Sequence, residues 1–243
     1  MEPLRQSEKA SLNSAMQTRL LSFIKNVVKS SPVLAEMYRR LNNCIFSSIA
    51  SAGMNNVVID NGVLMSACRV SINGDCNSIS YGKKTRLLNC TISIQGEGHK
   101  LIIGDGCVIR NCNFILEDRE CGITIGHGTT VEGAVFSAGD DSTSIDVGSD
   151  CMFSRGIDIR TCDGHSILQI DNGARINNSK SVHIGDHCWV AADVKILKGV
   201  VIESDSVIAA GAIVTHSVSR GCVVAGVPAH VIKSGVTWYR ERV

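Results

Sequence analysis

The sequence predicts an all-β fold, a parallel β-helix in which short strands wind into a triangular solenoid. Three observations predict it: a six-residue period near the C-terminus, looser copies of the same module upstream, and a composition short of aromatics. From Ile184 the chain reads IGDHCW VAADVK ILKGVV IESDSV IAAGAI VTHSVS. Ile184, Val190, Ile196, Ile202, Ile208 and Val214 open successive blocks. The second position is mostly small or polar and the fifth small or β-branched. A period of six fits neither an amphipathic helix nor a half-buried strand. It fits a coil whose Ile or Val fills the interior at each corner.

Upstream copies follow. Ile59-Asp-Asn-Gly, Ile72-Asn-Gly-Asp-Cys, Ile103-Gly-Asp-Gly-Cys, Ile125-Gly-His-Gly-Thr, Val147-Gly-Ser-Asp-Cys and Ile170-Asp-Asn-Gly-Ala precede the C-terminal run. Ile184 and Ile202 lie 18 apart (202 − 184), one triangular coil of three hexapeptides. Steps of 22 separate positions 103, 125 and 147, which read as a coil plus a short insertion. The next steps, 23 and 14, break the register between 147 and 184. Functional loops tend to sit where a scaffold loses regularity. One coil cannot bury its apolar corner alone, so several must stack. Aromatics make up 4% of the chain, which suits a narrow core of Ile, Val and small residues.

Other features bound the function. A net charge of +1 gives no electrostatic reason to invoke nucleic acid. No run of 18 apolar residues suggests a membrane span. The polar start, MEPLRQSEKASLNSAMQTR, is unlike a secretory signal, and a cytoplasmic protein is expected. The 11 cysteines form no CxxC pair, which disfavours zinc and redox motifs. Cys76, Cys107, Cys151 and Cys188 take the fifth slot and are expected in the core.

Residues 1–50 read as an N-terminal helical cap. Leu20, Leu21, Ile24, Val27 and Val28 have helical spacing, and Ser31-Pro32 starts a second helix bearing Leu34, Met37, Tyr38 and Leu41. Residues 51–230 read as the β-helix domain. Residues 231–243 read as a C-terminal tail with room for a strand and a short helix. The segment 137–144, SAGDDSTS, reads as an exposed loop.

The broken-register region holds IRTCDGHSILQI, residues 159–170. His165 sits there in a polar turn with Asp163 two residues before it. Acyl transfer to a hydroxyl needs a base close to neutrality, which histidine supplies. A nearby carboxylate can orient such a ring. By spacing alone, a surface histidine remains the commoner reading. Trp189 falls on the sixth, outward slot, where a large aromatic calls for a ligand or a subunit contact to cover it.

The run DGHSI…RINNSKSVHIGDHCWVAADVKILKGVVIESDSVIAAGAIVT…VVAGVPAHVIK resembles the hexapeptide-repeat, left-handed β-helix acyltransferases. It is most similar to the bacterial polysaccharide and polysialic acid O-acetyltransferases. The likeness is close over about 75 residues and extends loosely through the coils. It rests on D-x-H, the R-I-N turn, I-G-D-H-x-W, I-L-K-G-V, an alanine-rich hexapeptide and G-x-P-A. That group carries a histidine and a functional tryptophan 24 residues apart, as are His165 and Trp189 (189 − 165).

The resemblance implies an acetyl-CoA-dependent O-acetyltransferase acting on a carbohydrate hydroxyl, with sialic acid or polysialic acid of a capsule or surface glycan as candidate acceptor. It implies His165 as general base with no acyl-enzyme, and a homotrimer with sites between subunits. Ala191, Ala209 and Ala210 are the small residues expected beside the pantetheine, and Lys198 and Lys233 the basic groups expected near the cofactor. His183 and His187 read as structural, His127 as a turn residue, and His216 and His230 as candidates for cofactor phosphates. His99 has no context. The block after the tryptophan opens Val190-Ala191 where the family has Ile-Gly, which narrows the backbone approach. Three rivals stay open: N-acetylation of an amino sugar, a zinc enzyme, and a non-catalytic scaffold. His165, His183 and His187 lack the spacing of the three-histidine zinc sites found in such coils.

Overall fold

The computed structural model describes residues 47–242, together with Val33, Glu36 and Met37. The two N-terminal helices expected within residues 1–50 lie, apart from these three positions, outside the described residues. Twenty-four strands follow, β1 (Ser48–Ala52) to β24 (His230–Ser234). They sort into three faces. The first is the sheet β1-β4-β7-β10-β13-β16-β19-β22, the second β2-β5-β8-β11-β14-β17-β20. The third runs β24-β23-β21-β18-β15-β12-β9-β6-β3. Each strand up to β23 pairs in parallel with the equivalent strand one coil away, as β11 (Gly122–Ile125) does with β8 (Lys100–Ile103) and β14 (Ser144–Val147). This is the predicted parallel β-solenoid, of about eight turns, with first, second and third faces taken in chain order.

The period of six is realised as expected. Ile184, Val190, Ile196, Ile202, Ile208 and Val214 are all buried. Between them the strands shrink to two or three residues, from β17 (Val182–Ile184) to β22 (Ile213–Val214). The upstream coils are wider. There, equivalent positions lie 22 residues apart, against 18 in the C-terminal coils. The added residues lengthen the first-face strands, as in β7 (Thr91–Glu97) and β10 (Asn113–Arg119), and the corner that follows them. Gly74 and Gly96 make that corner with φ of 125° and 121°. A Cβ on Gly74 would lie 2.0 Å from the carbonyl oxygen of Gly96, so only glycine fits.

Two small expectations fail here. Cys76 is exposed, because it sits on this widened corner and Asn77 takes the inward position. Ile59 is 48% exposed, because the register pairs Asp60 with Tyr81 and leaves Ile59 facing out. Segment 137–144 is likewise a corner and not a projecting loop: Ala138, Gly139 and Thr143 are buried in it. Cys107, Cys151 and Cys188 are fully buried as expected. The tail forms β24, antiparallel to β23 (Cys222–Ala225), and then an extended segment without a helix.

The core is a stack of layers. Phe114 and Phe136 stack at 5.1 Å between centroids, and Phe153 tilts against them at 6.4 Å. Polar rungs line the corner between first and second faces. The fully buried His99 donates its backbone N–H to Asn77 (2.9 Å), and its Nδ1 accepts from the Cys121 N–H (3.1 Å). That gives His99 a structural role, joining successive coils.

Candidate functional site

After β16 (Ile157–Arg160) the chain leaves the coil and re-enters at β17. Equivalent positions across this gap are 37 residues apart. The excursion, residues 161–181, grows from the corner between first and second faces. It is a hairpin: Leu168 bridges Arg175 in antiparallel sense, and Ile176 N–H donates to the Ile167 carbonyl at 2.9 Å. Its tip is exposed, with Ile170 at 99%.

Asn177 is its buried hub. The side-chain carbonyl accepts from Ile167 N–H (2.7 Å). The amide donates to the His165 carbonyl and to the Asp163 carboxylate, each at 2.8 Å. Lys198, one coil on, forms an ion pair with Asp163 and donates to the Asn177 carbonyl at 2.8 Å. Lys198 and then Asn177 hold the Asp163 carboxyl below its ordinary range. A second anchor is Arg175, whose guanidinium donates to Asp140 at 2.9 Å and lowers that carboxyl too. The Ser179 hydroxyl donates to the Asp140 carbonyl at 3.0 Å. The backbone at His165 is thus pinned while the residue is exposed.

This differs in two details from the sequence reading. Among the described contacts Asp163 makes no hydrogen bond to the His165 ring; it holds the turn through Lys198 and Asn177. Lys198, expected near a cofactor, has its ammonium engaged by that same carboxylate. Arg175 and Asn177 are the first and last residues of the quoted R-I-N turn, but the sequence reading assigned neither a role.

Trp189 stands elsewhere. It lies on the third face in β18 (Trp189–Val190), between Met152 and Val207, 37% exposed. The corner carrying His165 lies opposite that face in the triangle, so one chain does not bring the two rings together. The alanines lie on Trp189's side, at the corner between third and first faces. Ala191 follows Val190, and its N–H donates to the Ile208 carbonyl at 2.9 Å; Ala209 sits one coil further, its N–H on the Val224 carbonyl. Ala210 follows Ala209 and is exposed. With Ala225, which is in register with Ala209, they form a ladder of small side chains along that corner. Lys233 in β24 is exposed near the far end of that ladder, paired across from Val223.

A tail contact that sequence did not reveal supports Trp189. Trp238 is buried, stacks on His187 at 4.5 Å, and donates its indole N–H to the His187 carbonyl at 2.8 Å. It tilts against Trp189 at 6.2 Å between centroids. Arg240 lies over Trp238 and bonds Asp150 at 2.9 Å. His187 Nδ1 in turn meets Asp205 at 3.1 Å; Arg220, then His187, lower the Asp205 carboxyl. His183 pairs with Asp146 at 3.1 Å. Burial pushes the Cys107 thiol up to about 11, which makes it a poor nucleophile. No group of three His, Cys, Asp or Glu among the described residues converges as a metal site.

Comparison with known proteins follows this geometry. Residues 181–216 match the bacterial transferase hexapeptide family (six repeats). The chain is 36% identical over 100 residues to the polysialic acid O-acetyltransferase of Escherichia coli O1:K1 / APEC, covering 41% of this chain and 33% of that protein. It is 49% identical over 55 residues to the polysialic acid O-acetyltransferase of Neisseria meningitidis, covering 23% of this chain and 26% of that one. The matched stretch thus spans a third or less of these curated relatives. The superposition is broader. The crystal structure of the polySia-specific acetyltransferase NeuO gives a TM-score of 0.75 at 31% identity, covering 80% of this chain and 89% of that chain. The polysialic acid O-acetyltransferase OatWY gives 0.75 at 30%, covering 81% and 93%.

Proposed function

The chain belongs to the left-handed β-helix, hexapeptide-repeat acyltransferases, within the group of the polysialic acid O-acetyltransferases, and on that footing we propose that it transfers an acetyl group from acetyl-CoA to a hydroxyl of a sialic acid polymer. The observation that carries the reading is the division of its parts. A pinned, exposed histidine projects from one corner, while a tryptophan and a small-residue ladder occupy the opposite side. Two copies side by side complete one site, with His165 of one facing Trp189 and Ala191, Ala209 and Ala210 of the next. A homotrimer closes this arrangement with three equal sites. The exposed apolar tip, with Ile167 at 54%, Ile170 at 99% and Ile176 at 62%, supports it, because such a patch calls for a covering surface.

In that site His165 removes the proton of the acceptor hydroxyl as the oxygen attacks the thioester carbonyl carbon. The C–S bond breaks, and His165 returns the proton to the departing sulfur. Lys198, Asp163 and Asn177 fix the turn that aims the imidazole, and Asp163 acts as a positioning residue. A backbone N–H of a neighbouring coil receives the developing oxyanion charge. Trp189 stacks on sugar or pantetheine, and Trp238 holds its neighbour His187. Lys233 serves the cofactor phosphates; Lys198 does so only if Asp163 releases it. The coils from β1 to β23 constitute the catalytic part, and the tail after them, through Trp238, braces the third face. No described helix is long and apolar enough to cross a membrane. Ten described cysteines are free, which suits a reducing cytoplasm and a capsule or surface glycan acetylated before export.

The test is direct. Sialic acid oligomers incubated with protein and acetyl-CoA gain acetyl mass that alkaline de-esterification removes. Base-stable acetyl on an amino sugar, with nothing on sialic acid, would transfer the reading to N-acetylation. A monomeric mass in solution with full activity would end the shared site.

A further inference from the structure

A groove of about 740 Å³ opens at the corner between third and first faces, immediately upstream of the alanine ladder. Asn111, Glu132, Ser154, Arg155, Asp158 and Lys195 supply its polar lining. It is continuous with the tryptophan side of the site. Ser154 N–H donates to the Val190 carbonyl at 2.9 Å, beside Trp189 and Ala191. Asp193 N–H donates to the Arg155 carbonyl at 2.9 Å, so Arg155 borders the corner that carries Ala191.

The groove's charged lining is two carboxylates and two cations, but the carboxylates are engaged by arginines outside it. Glu132 is already paired with Arg110. Asp158 is already paired with Arg160 at 2.8 Å. Arg155 and Lys195 have no carboxylate within ion-pair distance among the described residues. Both are exposed, and Lys195 lies next to Asp158 in register across β16 and β19 (Lys195–Ile196). Two unspent cations among amide and hydroxyl groups suit a ligand that repeats carboxylates and hydroxyls. Arg offers a planar fork to a carboxylate, and Lys a mobile point charge. The groove is open to solvent, which suits a chain laid across it. Its volume is that of a site for a few sugars.

The donor belongs on the other side. The small residues run away from the groove, from Ala191 through Ala209 to Ala225, toward Lys233. We propose that Arg155 and Lys195 bind the carboxylates of the acceptor polymer flanking the sugar that is acetylated, making this groove the acceptor subsite. The proposal rests on the acetyl-transfer reading for its purpose, but binding can be judged separately.

A labelled sialic acid oligomer is titrated into wild type, R155A/K195A and R155K/K195R, with a neutral dextran oligomer as control and acetyl-CoA binding followed in parallel. The alanine pair should bind the sialic oligomer about tenfold more weakly, with the charge-conserving pair close to wild type and acetyl-CoA binding unchanged. Wild-type binding should weaken with added salt, and dextran should bind none of the three tightly. In turnover, the acceptor KM should rise with kcat retained. Equal oligomer affinity in wild type and R155A/K195A overturns the proposal. So does an oligomer that fails to bind wild type, or acetyl-CoA affinity that falls in step, which would assign the cations to the donor phosphates. Oligomer binding that is lost in R155A/K195A, in a wild type that transfers no acetyl group, keeps the subsite and removes the reaction.

Discussion

The coils before the excursion and those after it solve the same packing problem differently. Upstream, 22 residues per coil leave room for an additional inward side chain on the first face. Ile72, Ile94, Leu116 and Ala138 occupy that place in turn. Downstream, 18 residues per coil leave only single Ile or Val positions such as Ile196 and Val214. The wide coils also carry an extra polar corner, where Gly74 and Gly96 give way to Asp118 and Asp140. Asp118 accepts the Asp140 N–H at 2.7 Å, and Asp140 then grips Arg175 of the excursion. The excursion therefore replaces the next wide corner. The wide coils form a thick scaffold, the narrow ones a slimmer column, and the exposed histidine sits at the step between them.

The largest effect expected from that division concerns chemistry. His165→Ala should lower kcat by roughly 10²–10⁴ with folding intact, the usual contribution of a positioned acid–base group. His127→Ala, at a wide-coil turn where its Nδ1 accepts from the Asp105 N–H, should leave turnover within a few-fold. Equal losses in the two variants would erase the distinction between step and scaffold. Next comes stability. Phe136 lies fully buried between Phe114 and Phe153, and Phe136→Ala should destabilise by about 3–5 kcal/mol. Ile196→Val, in a narrow coil, should cost about 0.5–1.5 kcal/mol. Denaturant midpoints measure both, and a reversed order would mean that the narrow column is the true core.

The anchor of the excursion ranks below these. Asn177→Ala strands the Ile167 N–H and one side of Asp163, at a cost of about 1–3 kcal/mol felt within the hairpin. Its more telling readout is kcat, which should fall while acetyl-CoA binding stays constant. A variant with normal kcat would show that the turn at His165 is held without this amide.

How much of this could be read from residues follows the same division. The narrow coils were legible because each hexapeptide repeats its inward Ile or Val at a fixed step, and the outward placement of Trp189 followed from that step alone. The wide coils were legible as repeats but not in register. A corner that adds residues moves the inward slot from Cys76 to Asn77, and a step of 21 in place of 22 turns Ile59 outward in the first coil; no local pattern marks either change. At the site, the family resemblance singled out His165 where spacing alone did not, and neither showed the partner of Asp163. The ion pair with Lys198 depends on the loop returning to a particular coil. Trp238 was invisible for a similar reason, since a tail with no repeat gives no hint that it folds back onto His187.

The smallest effect is a pH dependence that separates the excursion from the coils. Both of its carboxylate anchors have depressed pKa values, Asp163 through Lys198 and Asn177, and Asp140 through Arg175. A carboxyl whose folded pKa lies below the unfolded value, about 3.9 for Asp, stabilises the fold above that value and ceases to do so as pH falls through the folded pKa. The hairpin should stay anchored from neutrality down to roughly pH 4 and loosen only below it. The coils carry such a carboxyl in Asp205, lowered by Arg220 and then His187, but are held chiefly by apolar layers and backbone ladders. Hydrogen exchange of residues 163–180, corrected for the intrinsic rate, should therefore hold its protection across the neutral range and lose it at acid pH before the strands do. Protection lost near pH 6 would point to histidine and not to these aspartates. Protection lost together with that of the strands would make the excursion part of the scaffold, and the step between the two kinds of coil would no longer be an independently mobile place for the base.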